Sequence, residues 1–151
     1  MTDAVAQPAD QQARTAPSLL YLVKRTEQVV RARLEQVLKP AGVTALQYTA
    51  LTVLERHDGL TAAQLARDSF VAAQSMADMV RTLEARGHVD RRPNPANRRE
   101  LLIGLTESGR RLLAEYEQPV RELEQRMTDG LGADRTAELR AALDHTWRRL
   151  L

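Results

Sequence analysis

Residues 61–105 read TAAQLARDSFVAAQSMADMVRTLEARGHVDRRPNPANRRELLIGL, and the order of patterns within them decides the fold. Thr61 stands three residues before Gln64, the spacing at which each side chain satisfies the other residue's backbone donor at a helix start. A short helix through Leu65 and Ala66 follows, then a brief turn at 68–71. Met76, Met79, Val80 and Leu83 recur at helical spacing and mark the core face of a second helix over 72–86, which Gly87 stops. Beyond it lie a short extended run at 89–92 and then Pro93-Asn94-Pro95-Ala96-Asn97, where two prolines within three residues forbid a helix. Leu101, Ile103 and Leu105 alternate in a second extended run. Two short helices joined by a tight turn are thus followed by a β-hairpin with its tip at 94–98.

Working outward, Thr44 and Gln47 repeat the capping arrangement ahead of Leu46, Tyr48, Leu51, Val53 and Leu54, and that helix runs to the turn at Asp58-Gly59. Residues 18–39 form a long amphipathic helix on Leu19, Leu22, Val23, Val30, Leu34, Val37 and Leu38, ended by Pro40 and Gly42. Downstream, Thr106 caps a long helix through Leu112, Leu113 and Val120 to about Met127, with an expected kink at Pro119. A break at 129–133 leads to a last helix carrying Leu139, Leu143, Trp147, Leu150 and Leu151 on one stripe. Residues 1–17 show no apolar period and are expected to be a flexible tail. The fold class is therefore mainly α with a small β-hairpin wing: a winged helix-turn-helix at 41–105, a dimerisation helix at 18–40 and dimerisation helices at 106–151. The outer stripes are longer than a winged helix of this size can cover, and exposed in a monomer they would be a liability, so a homodimer is expected.

Composition narrows the chemistry. The 151 residues contain no cysteine, which excludes disulfide frameworks, thiolate zinc sites and thiol redox sensing. No apolar run reaches a membrane span and the N-terminus lacks the pattern of a signal peptide, so a cytoplasmic protein without membrane attachment is expected. His57, His88 and His145 fit no metal-ligand spacing, and no nucleophile-base set or phosphate loop stands out. Neither enzyme activity, nor a metal, nor a cofactor is expected.

Lys and Arg number 22 against 20 acids, a formal charge of only +2, but the distribution is uneven. Residues 86–99 hold five Arg and one acid, whereas 106–151 hold eight Arg and nine acids. The positive excess sits beside the helix-turn-helix, at a hairpin tipped by Asn97, Arg98 and Arg99. That is the sequence form of a winged helix bound to double-stranded DNA: a helix fits the major groove, and an arginine on a thin wing enters the minor groove. The face opposite the core stripe displays Ala73, Gln74, Ser75, Ala77, Asp78 and Arg81. Gln74, Ser75 and Arg81 suit base edges or phosphate, and the two alanines allow close approach. Asp78 either accepts from cytosine or holds Arg81 three residues on. Thr61 and Arg91 complete the candidate DNA-binding set.

The stretch VTALQYTALTVLERHDGLTAAQLARDSFVAAQSMADMVRTLEARGHVDRRPNPANRRELLIGLTESGR, residues 43–110, resembles the core of the MarR (multiple antibiotic resistance regulator) family. The family's wing reads Asp-x-Arg, an alternating strand and Leu-Thr. Here it becomes Asn97-Arg98-Arg99, Leu101-Leu102-Ile103-Gly104 and Leu105-Thr106, which puts Arg99 on the arginine that enters the minor groove. Asn97 replaces the usual Asp, adding a unit of positive potential and removing an ion-pair partner for Arg99. Ser69-Phe70 and Ala72-Ala73 also depart from the commonest helix-turn-helix turn.

The resemblance implies a homodimeric transcription regulator, expected to be a repressor, on a pseudo-palindromic operator with half-sites about 10 bp apart. It also implies an effector pocket for a small aromatic acid. Tyr21, Arg25, Tyr48 and His57 are candidates there, since an aromatic wall with a cation suits such a ligand. Core packing for Tyr48 and plain surface for Arg25 stand beside that reading. Without a thiol, the effector is a bound small molecule or there is none. The competing reading of the whole chain is a helical dimeric protein-interaction or ligand-sensing module with no direct DNA role.

Overall fold

The computed structural model describes residues 16–151, so the expected tail at 1–17 lies almost wholly outside the described residues. The chain divides into two compact units that meet between Arg33 and Leu34. Helix α1 spans Leu19–Leu38 and crosses that boundary. Ser18 caps it, its Oγ accepting from the Tyr21 amide at 3.1 Å. The first unit carries an exposed apolar row at Leu19, Leu20, Leu22 and Val23, with an Arg31–Glu27 pair on its polar side. In the second unit, α1 ends on the buried Leu38. A single 3-10 turn at Lys39–Ala41 then leads into Gly42, whose φ of +68° closes the turn in a conformation glycine adopts at no steric cost.

Helices α2 (Ala45–Arg56) and α3 (Ala62–Asp68) both begin with the full reciprocal cap read from the sequence, Thr44 with Gln47 and Thr61 with Gln64. Helix α4 spans Ala73–Ala85, strands β1 (Val89–Pro93) and β2 (Leu101–Leu105) pair antiparallel, and helices α5 (Glu107–Thr128) and α6 (Gly132–Arg149) complete the chain. Leu60 adds an antiparallel bridge to Ile103, so β2 lies between β1 and the turn that joins α2 to α3. Helix α5 continues through Pro119. The last helix ends at Arg149, with Leu150 as its C-cap, so Leu150 and Leu151 of the expected stripe lie past its last turn.

Leu51, Leu54, Leu65, Met76, Val80 and Leu83 are almost fully buried, where α2, α3 and α4 meet over β2 and the start of α5. Burying one such side chain is worth about 1.5–3 kcal/mol, so this small cluster carries the stability of the helix-turn-helix and its hairpin. Tight backbone contacts fix the link between α4 and β1 to the start of α5. The Thr106 hydroxyl donates to the Gly87 carbonyl at 2.6 Å, and the Thr106 amide to the His88 carbonyl at 3.2 Å. A Cβ at Gly109 would run into that same His88 carbonyl, which explains the glycine. Across the α1–α2 link, the Arg86 guanidinium donates to the Gly42 carbonyl.

The turn between α3 and α4 departs from simple turn chemistry. Phe70 holds φ +55° and is 72% exposed, and its ring meets Trp147 of α6 edge-on at 5.9 Å. Trp147 is itself set by its neighbours: its indole N–H donates to Asp144, and Arg148 lies 4.5 Å above its ring while pairing with the same carboxylate. The hydrogen bond from Arg148 holds the Asp144 carboxyl below its ordinary range.

Candidate nucleic-acid interface

Helix α4 presents the expected division of faces. Met76, Val80 and Leu83 are buried and Met79 half-buried, while Ala73, Gln74, Ser75, Asp78 and Arg81 are exposed and Ala77 is half-buried. The helix starts on Ala72 with no side-chain cap, unlike α2, α3 and α5. Among the described residues its first amides thus meet no capping side-chain oxygen, the arrangement that favours an incoming anion.

The hairpin tip consists of two consecutive side-chain-to-backbone turns. Asn94 accepts from the Ala96 amide at 3.0 Å, and Asn97 accepts from the Arg99 amide at 3.1 Å. The Asn97 and Glu100 amides donate to the Asn94 and Asn97 carbonyls, which closes the loop over 94–100. Asn97 therefore supplies the local brace that an aspartate would, with its amide oxygen and without a charge. Arg98 and Arg99 are exposed, and among the described residues neither guanidinium has an ion-pair partner.

The remaining arginines differ. Arg81 pairs with Asp78 on its own helix, and Arg91 reaches Glu84 of α4 at 3.1 Å. Adjacent strand residues face opposite ways. Arg91 accordingly faces α4, and Arg92 lies on the other side of the hairpin, where it pairs with Asp58 at 2.9 Å. Reading by charge alone could not separate these two; the alternation of Val89, Ile103 and Leu105 as the buried face does.

Between α4 and the hairpin lies an open cleft of about 360 Å³. Thr61, Ala77, Arg81, Arg91 and Arg99 line it together, drawing five of the sequence-expected residues from three elements onto one surface. Ala62, Ala63 and Glu100 also line it and were not singled out by sequence. The sequence places the two alanines in the first turn after the Thr61 cap, but nothing in it says which way that turn faces.

The effector candidates occupy different settings. Arg25 donates to the Tyr21 hydroxyl at 2.9 Å on α1, beside Lys24, Gln28 and Val29 around a shallow groove. Tyr48 packs in the core, as the competing reading had it. Burial, with Glu55 and Glu117 adding, pushes its phenol above the ordinary range. His57 is exposed at the C-cap of α2.

The family model described as MarR family matches residues 41–100, the stretch that holds α2, α3, α4, the first strand and the tip of the hairpin. The HTH-type transcriptional repressor Rv2887 of Mycobacterium tuberculosis is 33% identical over 82% of this chain and 89% of its own length. A crystal structure of a mutant MarR from E. coli complexed with operator DNA is 29% identical, with a TM-score of 0.78 over 85% of this chain and 92% of that one. CouR from Rhodococcus jostii, bound to p-coumaroyl-CoA, is 26% identical, with a TM-score of 0.76 over 83% of this chain and 89% of its own. With a repressor relative aligned along most of both chains and the family model matching the helices and the arginines that line the cleft, this chain belongs to the MarR family.

Proposed function

We propose that this chain is a sequence-specific, double-stranded DNA-binding transcriptional repressor that acts as a homodimer. The observation that carries this reading is the cleft between α4 and the hairpin, flanked by the exposed Gln74 and Ser75 on one side and the unpaired Arg98 and Arg99 on the other. In this arrangement α4 enters the major groove. Ala73 and Ala77 permit close approach, and Gln74, Ser75 and Arg81 read base edges or phosphate. Thr61 and Arg91 contact the backbone at the cleft, and Asn97 braces Arg98 and Arg99 at the minor groove. Asp78 holds Arg81 in place until a base or phosphate displaces it. No catalytic step is assigned to any residue.

The exposed apolar positions of α1, Leu139, Leu143 and Trp147 of α6, and Leu150 and Leu151 just past it, support pairing of two copies through residues 18–40 and 106–151. Two-fold symmetry then sets a pseudo-palindromic operator with half-sites about 10 bp apart. A small aromatic acid is the effector class that the Tyr21–Arg25 pair on α1 supports.

The test is binding to a duplex selected from a random-sequence pool by the purified protein, followed across a salt series. Phosphate contacts impose a linear fall of log K with log salt, about 0.9 per contact. A flat salt response, or failure to select any duplex, would leave the chain an interaction module without a DNA role.

A further inference from the structure

Asp58 and Arg92 belong to neither the core nor the cleft, yet the fold makes room for them at two positions. Arg92 lies on β1 and Asp58 in the α2–α3 turn, with β2 between them. The guanidinium therefore reaches its partner by crossing β2, and it does so over Gly104. A Cβ there would stand 3.0 Å from the Asp58 carboxylate and 3.6 Å from the Arg92 guanidinium carbon. On the far side, a Cβ at Gly59 would come within 2.9 Å of the Arg92 Nη2, and Gly59 also holds φ +78°. Two glycines thus leave a passage that the ion pair fills at 2.9 Å. Asp90, on the same face of β1, adds a second carboxylate near Arg92, and the Asp58 hydrogen bond, more than Asp90, holds the guanidinium above its ordinary range.

We infer that Asp58 and Arg92 are positioning residues for the wing: the pair ties the outer strand β1 across β2 to the α2–α3 turn, and so fixes where the hairpin carries Arg98 and Arg99. The backbone alone leaves that angle weakly determined. A two-stranded ribbon is marginal by itself, and among the described residues the only backbone hydrogen bonds that join the hairpin to the turn are the two between Leu60 of the turn and Ile103 of β2. Strand β1, which leads into the tip, has no backbone tie to the turn except through β2. The Asp58–Arg92 pair supplies it, and Arg92 is committed to this bridge rather than to phosphate.

This inference rests on the DNA-binding reading, and the experiment separates the two. Wild type, Asp58→Asn, Arg92→Gln and the double variant are titrated with the selected duplex over a salt series, and their melting temperatures are recorded. Each single variant should weaken binding about two- to five-fold, the scale of one exposed ion pair. The double variant should be no weaker than the singles, because either change breaks the same contact. The salt slope should stay as in wild type, and so should the melting temperature, since both side chains are largely exposed.

Three results would overturn the inference while leaving DNA binding intact. Tighter binding by Asp58→Asn would mean that this acid merely repels the duplex. A salt slope lower by about one in Arg92→Gln would make Arg92 itself a phosphate contact. Unchanged affinity in both single variants would mean that the wing needs no strut. Failure of the wild type to bind any duplex would remove the DNA-binding reading and the strut together.

Discussion

Among the described residues Arg99 and Arg98 are the two arginines of the hairpin with no acid of their own, which makes them available to a polyanion at no cost of breaking an existing pair. Arg99→Ala should weaken duplex binding by about 1–3 kcal/mol, read by fluorescence anisotropy at fixed salt. Arg81→Ala should cost less, because Arg81 must first leave Asp78. A second residue gives a pH signature. Burial, with the nearby Arg86 charge, lowers the His88 pKa, so the folded state binds that proton less readily than the unfolded chain. Stability from this group is therefore full above about pH 6.5, the ordinary histidine value, and is lost as the pH falls below it. The melting temperature should drop on mild acidification, and by a smaller amount in His88→Gln. How far single residues could be read from sequence depended on periodicity. The core stripe of α4 follows from spacing, as does the exposed row opposite it. Which of Arg91 and Arg92 faces the cleft required the strand phase, and the Asp58 partner, 34 positions away, left no local signal.

At the scale of elements, the capped starts of α2 and α3 were legible because a capping box is a four-residue device with its whole mechanism in sequence. The turn between α3 and α4 was not. Phe70 in a left-handed conformation costs about 1–2 kcal/mol, and an edge-on aromatic pair returns about 0.5–1.5 kcal/mol beyond its buried area. These terms nearly cancel, so neither propensity nor pattern foretells the outcome. They do make a prediction. Phe70→Gly loses the ring and relieves the backbone, whereas Phe70→Ala loses the ring and keeps the strain. The glycine variant should be more stable than the alanine variant by about 1 kcal/mol in denaturant unfolding.

For the molecule as a whole, the net charge of +2 conceals the separation that matters, a basic hairpin against the last two helices, where residues 106–151 hold eight Arg and nine acids. The outer helices leave Leu143 and Trp147 of α6 and the row Leu19 to Val23 of α1 exposed in the single chain. Leu143→Glu places a charge in that apolar surface. It should shift the protein toward monomer in sedimentation while leaving the helical content unchanged. Because a dimer engages its second half-site at high effective concentration, the monomer should lose about 10²- to 10⁴-fold in apparent affinity. Order of elements and apolar period make the apolar stripes that the outer helices leave exposed legible from sequence. The base preference of α4 is not, since Gln74, Ser75 and Arg81 each have more than one acceptable partner on DNA.

The contact between Phe70 and Trp147 has an optical consequence. Trp147 is the chain's one tryptophan, and its indole rests against the turn that sets the angle between α3 and the reading helix. Its emission is a single-component signal from that turn, available without a label. Phe70→Ala should move it to the red as water takes the place of the ring, and titration of the wild type with duplex reports whether the turn shifts when the protein engages DNA.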